Sequence, residues 1–142
     1  MCLPQIESVT DELLAAADSL AKSGRWAASL VLLFCAIDTC ASLVRDADHL
    51  WVERQDFVDW VNSYVLAPGC ELPCTAEDLY AARCGVVHAQ SSESKMRTEG
   101  RARENVYALA DGASTRYLAR PEAVSAVSVN TQALLVAVDA GV

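Results

Sequence analysis

An arginine and a histidine lie five residues apart in the stretch 83–88, Arg-Cys-Gly-Val-Val-His. Histidine is suited to proton transfer near neutral pH. The arginine guanidinium holds phosphate oxygens in pairs and never loses its charge. Arg83 and His88 could therefore cleave RNA through its own 2′-hydroxyl group without a metal ion. The same two residues also fit binding of an anion without catalysis, or a structural arginine that pairs with Asp38.

The basic residues of the chain gather around and after this stretch. Residues 83–120 hold seven basic and four acidic side chains, so this segment carries +3 and the rest of the chain carries −11. The net charge of −8 argues against general affinity for nucleic acids. A local basic patch can still hold a phosphate. Ser91, Ser92, Arg97 and Arg101 are therefore candidate phosphate or RNA contacts, and a flexible loop with a salt-bridged helix face is the alternative.

The cysteines indicate neither disulfides nor a metal centre. The chain has six, and the first residues lack the basic and apolar regions of a signal peptide. We therefore expect a cytoplasmic protein with reduced thiols. Cys70 and Cys74 form the only close pair outside a predicted helix, and no second Cys/His pair follows at zinc spacing. We expect no metal and no cofactor.

The periodicity of the apolar residues predicts a mostly helical fold in a single domain over residues 1–142. Helices are predicted over 7–22, 25–45, 53–66, 75–90, 98–111 and 132–140. Ser8 or Thr10 is expected to cap the first of them, and Asn130 or Thr131 the last. The fourth is expected to begin with a capping box at Thr75-Ala-Glu-Asp78, with aspartate in place of the usual glutamate. A further helix is predicted over 113–120, and an extended segment over 124–129.

The segment 25–45 is apolar enough to suggest a membrane span. Asp38 lies in its middle, and no basic flank follows it. A buried central helix in a protein without a membrane segment is the better interpretation. Asp38 then needs a partner, because an unpaired buried carboxylate is costly, and an arginine is the obvious candidate.

The motif helix poses a geometric problem. Residues 83 and 88 lie about 140° apart around an ideal helix, so they do not share one face. Either the helix ends near His88, or a second subunit brings another pair alongside. Gly85 lies between them, and a glycine inside a helix costs about 1 kcal/mol relative to alanine. Close approach of another backbone at Gly85 would explain it.

The stretch 78–88, Asp-Leu-Tyr-Ala-Ala-Arg-Cys-Gly-Val-Val-His, resembles the signature helix of HEPN domains. The resemblance covers roughly residues 7–112, and Asp38 loosely matches an acidic residue of that family's second helix. It implies an all-α, up-and-down bundle of four to five helices, here followed by a short C-terminal helix. It also implies a homodimer through the Arg83–His88 helix, with both pairs in one cleft.

The activity that this resemblance implies is metal-independent cleavage of RNA, as in toxin–antitoxin, phage-defence and CRISPR systems. Arg83 and His88 would be catalytic, with Asp38 and Gly85 in support. A cognate antitoxin or operon partner is a possible binding partner. Many active members have a polar residue directly after the arginine, where this chain has Cys84. The alternative is therefore a non-catalytic dimeric module that binds a nucleotide or a protein.

Overall fold

A computed structural model describes residues 3–45, 48–49, 51–70, 72–89, 95–108 and 126–142. This part of the chain is mostly helical, as the sequence predicts. The helices and strands in chain order are α1 Leu3–Lys22, α2 Trp26–Val44, α3 Arg54–Trp60 with a π-helical turn Val61–Val65, α4 Ala76–Ala89, α5 Lys95–Thr98, β1 Glu104–Ala108, β2 Ala126–Asn130 and α6 Thr131–Gly141.

Helix α2 is the centre of the core and packs against α1, α3, α4 and α6. It forms an antiparallel hairpin with α1 through a turn at Gly24, whose φ of 76° suits glycine. The buried Ser29 hydroxyl donates a hydrogen bond to the Ala17 carbonyl at 2.8 Å, so its polar group is satisfied inside the hairpin.

In length and composition, α2 could cross a membrane, and it is the one such helix in the described part of the chain. Its mean hydropathy is 2.1 over a window of which 44% is buried inside the fold. Phe34 and Ile37 are fully buried within the core. A buried core helix passes the same test of length and composition, and that is the position α2 occupies in this structure.

The start of α4 is fixed by the predicted capping box. The Thr75 amide donates to Asp78 Oδ2 at 2.9 Å, and the Asp78 amide donates to Thr75 Oγ1 at 3.2 Å. Arg103, just before β1, donates to the same carboxylate through its backbone amide, Nε and Nη2 at 2.7 to 3.0 Å. Asp78 is only 2% exposed, so these bonds join the C-terminal part of the chain to the motif helix.

The predicted helix over 98–111 is wrong. Helix α5 ends at Thr98, and β1 pairs in parallel with β2, with Glu104 opposite Ala126. The pairing joins residues 22 positions apart, and local helical spacing cannot reveal it. The extended segment predicted over 124–129 is confirmed where the structure describes it, from Ala126 onwards. The helix predicted over 113–120 lies outside the described residues.

The first and last helices of the chain, α1 and α6, begin differently. Helix α6 has the expected cap, with Asn130 Oδ1 accepting from the Ala133 amide at 2.9 Å. The cap predicted for α1 at Ser8 or Thr10 is wrong, because the helix already begins at Leu3. Pro4 suits a first helical turn, where its missing N–H would have had no partner. Thr10 is instead buried within the helix at 1% exposure.

Candidate functional site

Helices α2 and α4 bring Asp38, Arg83 and His88 together. The Arg83 guanidinium donates through Nε at 2.9 Å and through Nη2 at 2.8 Å to Asp38 Oδ2. Its Nη1 lies 3.0 Å from His88 Nε2. The expected arginine partner of Asp38 is thus confirmed as Arg83. The guanidinium links an acidic residue of the central helix to the histidine at the end of the motif helix.

Arg83 and His88 meet within one chain, and α4 ends at Ala89, directly after His88, which fits the first of the two alternatives that the sequence left open. Their Cα atoms diverge around the α4 axis, but the arginine side chain is long and flexible enough to span the difference. Its tip reaches the imidazole, as the 3.0 Å contact shows. A second subunit is therefore not needed to bring an arginine and a histidine together.

The site is partly open to solvent. The side chains of Arg83 and Asp38 are 21% and 27% exposed to solvent, and His88 is exposed. Burial alone would lower the pKa of Arg83. The hydrogen bonds and negative charge of Asp38 outweigh it and raise that pKa above its ordinary value, so the guanidinium stays charged. A charged arginine beside an accessible imidazole can bind a phosphate.

The contact also fixes the role of the imidazole nitrogen. A guanidinium has only donors, so His88 Nε2 must act as the acceptor. For this contact we assign the Nδ1–H tautomer, in which Nε2 carries the lone pair. A neutral imidazole with a lone pair on Nε2 is the form that can accept a proton from a reacting hydroxyl.

Tyr80 and Cys84 flank the guanidinium on the same helix. The Tyr80 ring packs edge-on against Phe57, with centroids 5.4 Å apart and planes at 70°. Burial raises the pKa of Tyr80, and the neighbouring Cys84 raises it further. The sequence motif did not single out Tyr80, although its offset of three residues from Arg83 makes the two neighbours on the helix surface.

Cys35 approaches the ion pair from α2. Burial raises the pKa of its thiol, and the nearby charge of Asp38 raises it further. Two half-buried cysteines, Cys35 and Cys84, therefore border the Asp38–Arg83 pair. No group of three or more His, Cys, Asp or Glu side chains in the described ranges is arranged to hold a metal ion.

The remaining predicted site residues do not join this cluster. Gly85 is buried within α4. Arg101 is exposed and pairs with Glu99, with 3.2 Å between Nη1 and Oε2. Ser91, Ser92 and the side chain of Arg97 lie outside the described residues, so the predicted RNA contacts there stay predictions.

No family model, curated protein or solved structure matches this chain. Any functional inference therefore rests on the motif in α4 and on the contacts that the fold gives it.

Proposed function

We propose that this chain is a metal-independent endoribonuclease of the HEPN type, with Arg83 and His88 in its active site. The observation that carries the proposal is the 3.0 Å contact between Arg83 Nη1 and His88 Nε2 at an exposed position. A proton-transfer group and a permanent cation within one hydrogen bond of each other are what cleavage by the 2′-hydroxyl of RNA requires.

The reaction uses these two side chains as follows. An RNA phosphate takes over the Nη1 donor of Arg83, which frees the lone pair on His88 Nε2. His88 accepts the proton of the 2′-hydroxyl while the 2′-oxygen attacks phosphorus. The bond between phosphorus and the 5′-oxygen breaks. The leaving oxygen takes a proton from an imidazolium, and Arg83 stabilises the negative charge on the phosphorane. The products are a 2′,3′-cyclic phosphate and a 5′-hydroxyl.

A homodimer through α4 would supply the second imidazole. One histidine can serve as the base while its counterpart in the second copy serves as the acid, so each works in a single protonation state. The resemblance to HEPN domains favours this arrangement, with RNA as substrate and an antitoxin or another operon partner as a regulator in toxin–antitoxin or phage-defence systems. The cytoplasm is the corresponding location.

One observation favours a second candidate, a non-catalytic HEPN-like module. Asp38 accepts hydrogen bonds from two N–H groups of Arg83, and its negative charge offsets the positive charge of Arg83 before any ligand binds. Cys84 also stands where many active members have a polar residue. In such a module Arg83 would hold α2 to α4, and the dimer would bind a nucleotide or a protein partner.

Cleavage of an end-labelled RNA in excess EDTA tests the first candidate. We expect cutting that persists in EDTA and leaves cyclic phosphate ends. The variant His88→Ala should lose it with an unchanged circular dichroism spectrum. The matched control is His49→Ala, since His49 is the only other histidine and is exposed in the connection after α2. Equal cutting by the two variants would contradict the proposal.

Mixing the wild-type chain with His88→Ala tests the dimer. A cleft that uses the histidines of both copies is disabled in every mixed dimer, so excess of the variant should suppress cleavage by the wild-type chain. We expect this suppression together with a dimer mass in light scattering. A fully active monomer would contradict the shared cleft while leaving the ribonuclease proposal intact.

A further inference from the structure

Basic side chains in and after the motif helix are paired with carboxylates in the structure. Four basic side chains of the segment 83–120 fall within the described part of the chain, and each has an acidic partner. The pairs are Arg83–Asp38, Arg103–Asp78, Lys95–Glu99 and Arg101–Glu99. Four positive and three negative charges leave this group with a net charge of +1. That charge balances one phosphodiester group and not an extended RNA backbone.

Glu99 is shared by two of these cations. Its Oε1 lies 3.7 Å from Lys95 Nζ, and its Oε2 lies 3.2 Å from Arg101 Nη1. Both basic side chains are exposed, so they are accessible to a ligand in solution. A phosphate responds to the summed field of the charges around it, and a carboxylate between two cations weakens the attraction of both.

The backbone fixes Glu99 between its two partners. The Glu99 amide donates to the Lys95 carbonyl at 3.0 Å, and the Arg101 amide donates to the Met96 carbonyl at 2.8 Å. Gly100 reverses the chain between them with a φ of 69°. Met96 is buried, and α5 packs against α4. The three charged side chains therefore lie on one anchored turn beside the motif helix.

We propose that Glu99 is a specificity-determining residue that limits the site to short single-stranded RNA held through one phosphate group. The inference rests on the proposed function, in which Arg83 binds the phosphate that is cut. Each further phosphate of a longer strand would need another unbalanced positive charge, and Glu99 cancels the charge that the turn could offer. A duplex has twice the phosphate density of a single strand and is disfavoured further.

The test measures binding of a labelled single-stranded 2′-O-methyl RNA of about twenty nucleotides by fluorescence anisotropy. This probe lacks the attacking hydroxyl group, so binding is measured without cleavage. Glu99→Gln and Glu99→Lys raise the net charge of the turn by one and by two. The matched controls are Asp59→Asn and Asp59→Lys, which change the charge of the chain equally. Asp59 is an exposed carboxylate of α3 that accepts a hydrogen bond from the neutral Gln55.

The salt dependence of binding counts the phosphates that the protein neutralises. For a single strand, each neutralised phosphate adds about 0.7 to the slope of log affinity against log salt. Between 50 and 200 mM salt, the affinity of wild type should therefore fall roughly threefold. The fall should be roughly sevenfold in Glu99→Gln and roughly twentyfold in Glu99→Lys, and both Asp59 variants should behave like wild type.

Three results would overturn the inference. They are equal salt slopes in wild type and both Glu99 variants, the same increase of the slope in the Asp59 variants, and no binding of the probe by any of the proteins at 50 mM salt. The expected series of slopes without cutting of unmodified RNA would defeat the proposed function alone, because this binding needs no cleavage.

Where the wild-type chain cuts RNA, substrate length gives a second readout. We expect wild type to cut a dinucleotide, which has one phosphodiester, and a longer strand with kcat/KM values within about threefold of each other at 50 mM salt. Glu99→Lys should raise kcat/KM for the longer strand only. An equal rise for both substrates would overturn the role of Glu99 in specificity.

Discussion

Arg83 and Asp38 join α4 to α2 through two hydrogen bonds from the guanidinium to a single carboxylate oxygen, Oδ2. The pair is mostly shielded from solvent, and it lies 45 residues apart in sequence. It therefore holds two core helices in register and at the same time aims the guanidinium at His88. Both effects depend on the negative charge of Asp38.

Replacing Asp38 with asparagine should destabilise the fold by about 1–2 kcal/mol, because it leaves Arg83 half-buried without a counter-charge. Arg83→Gln should cost a similar amount, and the double variant should cost less than the sum. Urea unfolding of the four proteins measures the coupling. Asp18→Asn is the matched control. It breaks a pair with the exposed Lys22, and should cost under about 0.5 kcal/mol. If the stability losses of the Asp38 and Arg83 single variants simply added in the double variant, this would argue against an interaction between the two side chains.

The second prediction concerns Asp78 and pH. Burial alone would raise its pKa, but hydrogen bonds from Thr75 and Arg103 lower it overall. A carboxyl group whose pKa falls on folding stabilises the fold above its unfolded pKa. That stabilisation is lost as the pH falls through the folded value. We therefore expect Asp78→Asn to lower the free energy of unfolding by about 2 kcal/mol at pH 7. The difference in this free energy between wild type and variant should narrow below about pH 4.

Urea unfolding at pH 7, 5 and 3.5 measures that gap. The matched control is Asp59→Asn, which removes an exposed carboxylate that accepts from Gln55 at 2.7 Å and should change stability little at any pH. A gap at Asp78 that stays constant or widens in acid would show that its charge does not hold Arg103.

The third prediction concerns the two cysteines before α4. Burial raises the pKa of Cys74 to about 11, and its side chain is 7% exposed. At pH 8, roughly one thiol in a thousand is then ionised, and the thiolate is the reactive form. Iodoacetamide should modify the half-buried Cys70 first and Cys74 only after unfolding in urea, as peptide mass spectrometry would show. Equal rates in the folded protein would contradict the burial of Cys74.

Much of the helical part of the fold could be predicted from local patterns. The apolar periodicity predicted α2, the Thr75–Asp78 spacing predicted the start of α4, and Asn130 predicted the start of α6. These are local signals, carried by neighbouring residues. Strand β1 was missed because its partner strand begins at Ala126, and parallel pairing leaves no mark in the local sequence.

The candidate site was only partly predictable. The types of Arg83 and His88 pointed to chemistry, and the cost of burying Asp38 pointed to an arginine partner. The helical wheel left open how Arg83 and His88 meet, because it places Cα atoms and ignores the length of side chains. The contact of Tyr80 with Phe57 beside the site could not be predicted, because only the packing of α3 on α4 creates it.

The central claim is that Arg83 and His88 act as one unit in RNA cleavage. Single-turnover rates in EDTA for wild type, Arg83→Ala, His88→Ala and the double variant test it most directly. The cleavage rate of each single variant should fall by about 100-fold or more. The double variant should be no slower than the slower single variant, because the loss of either residue already disables a unit that needs both. Cleavage by His88→Ala at the wild-type rate, or losses that multiply in the double variant, would contradict the claim.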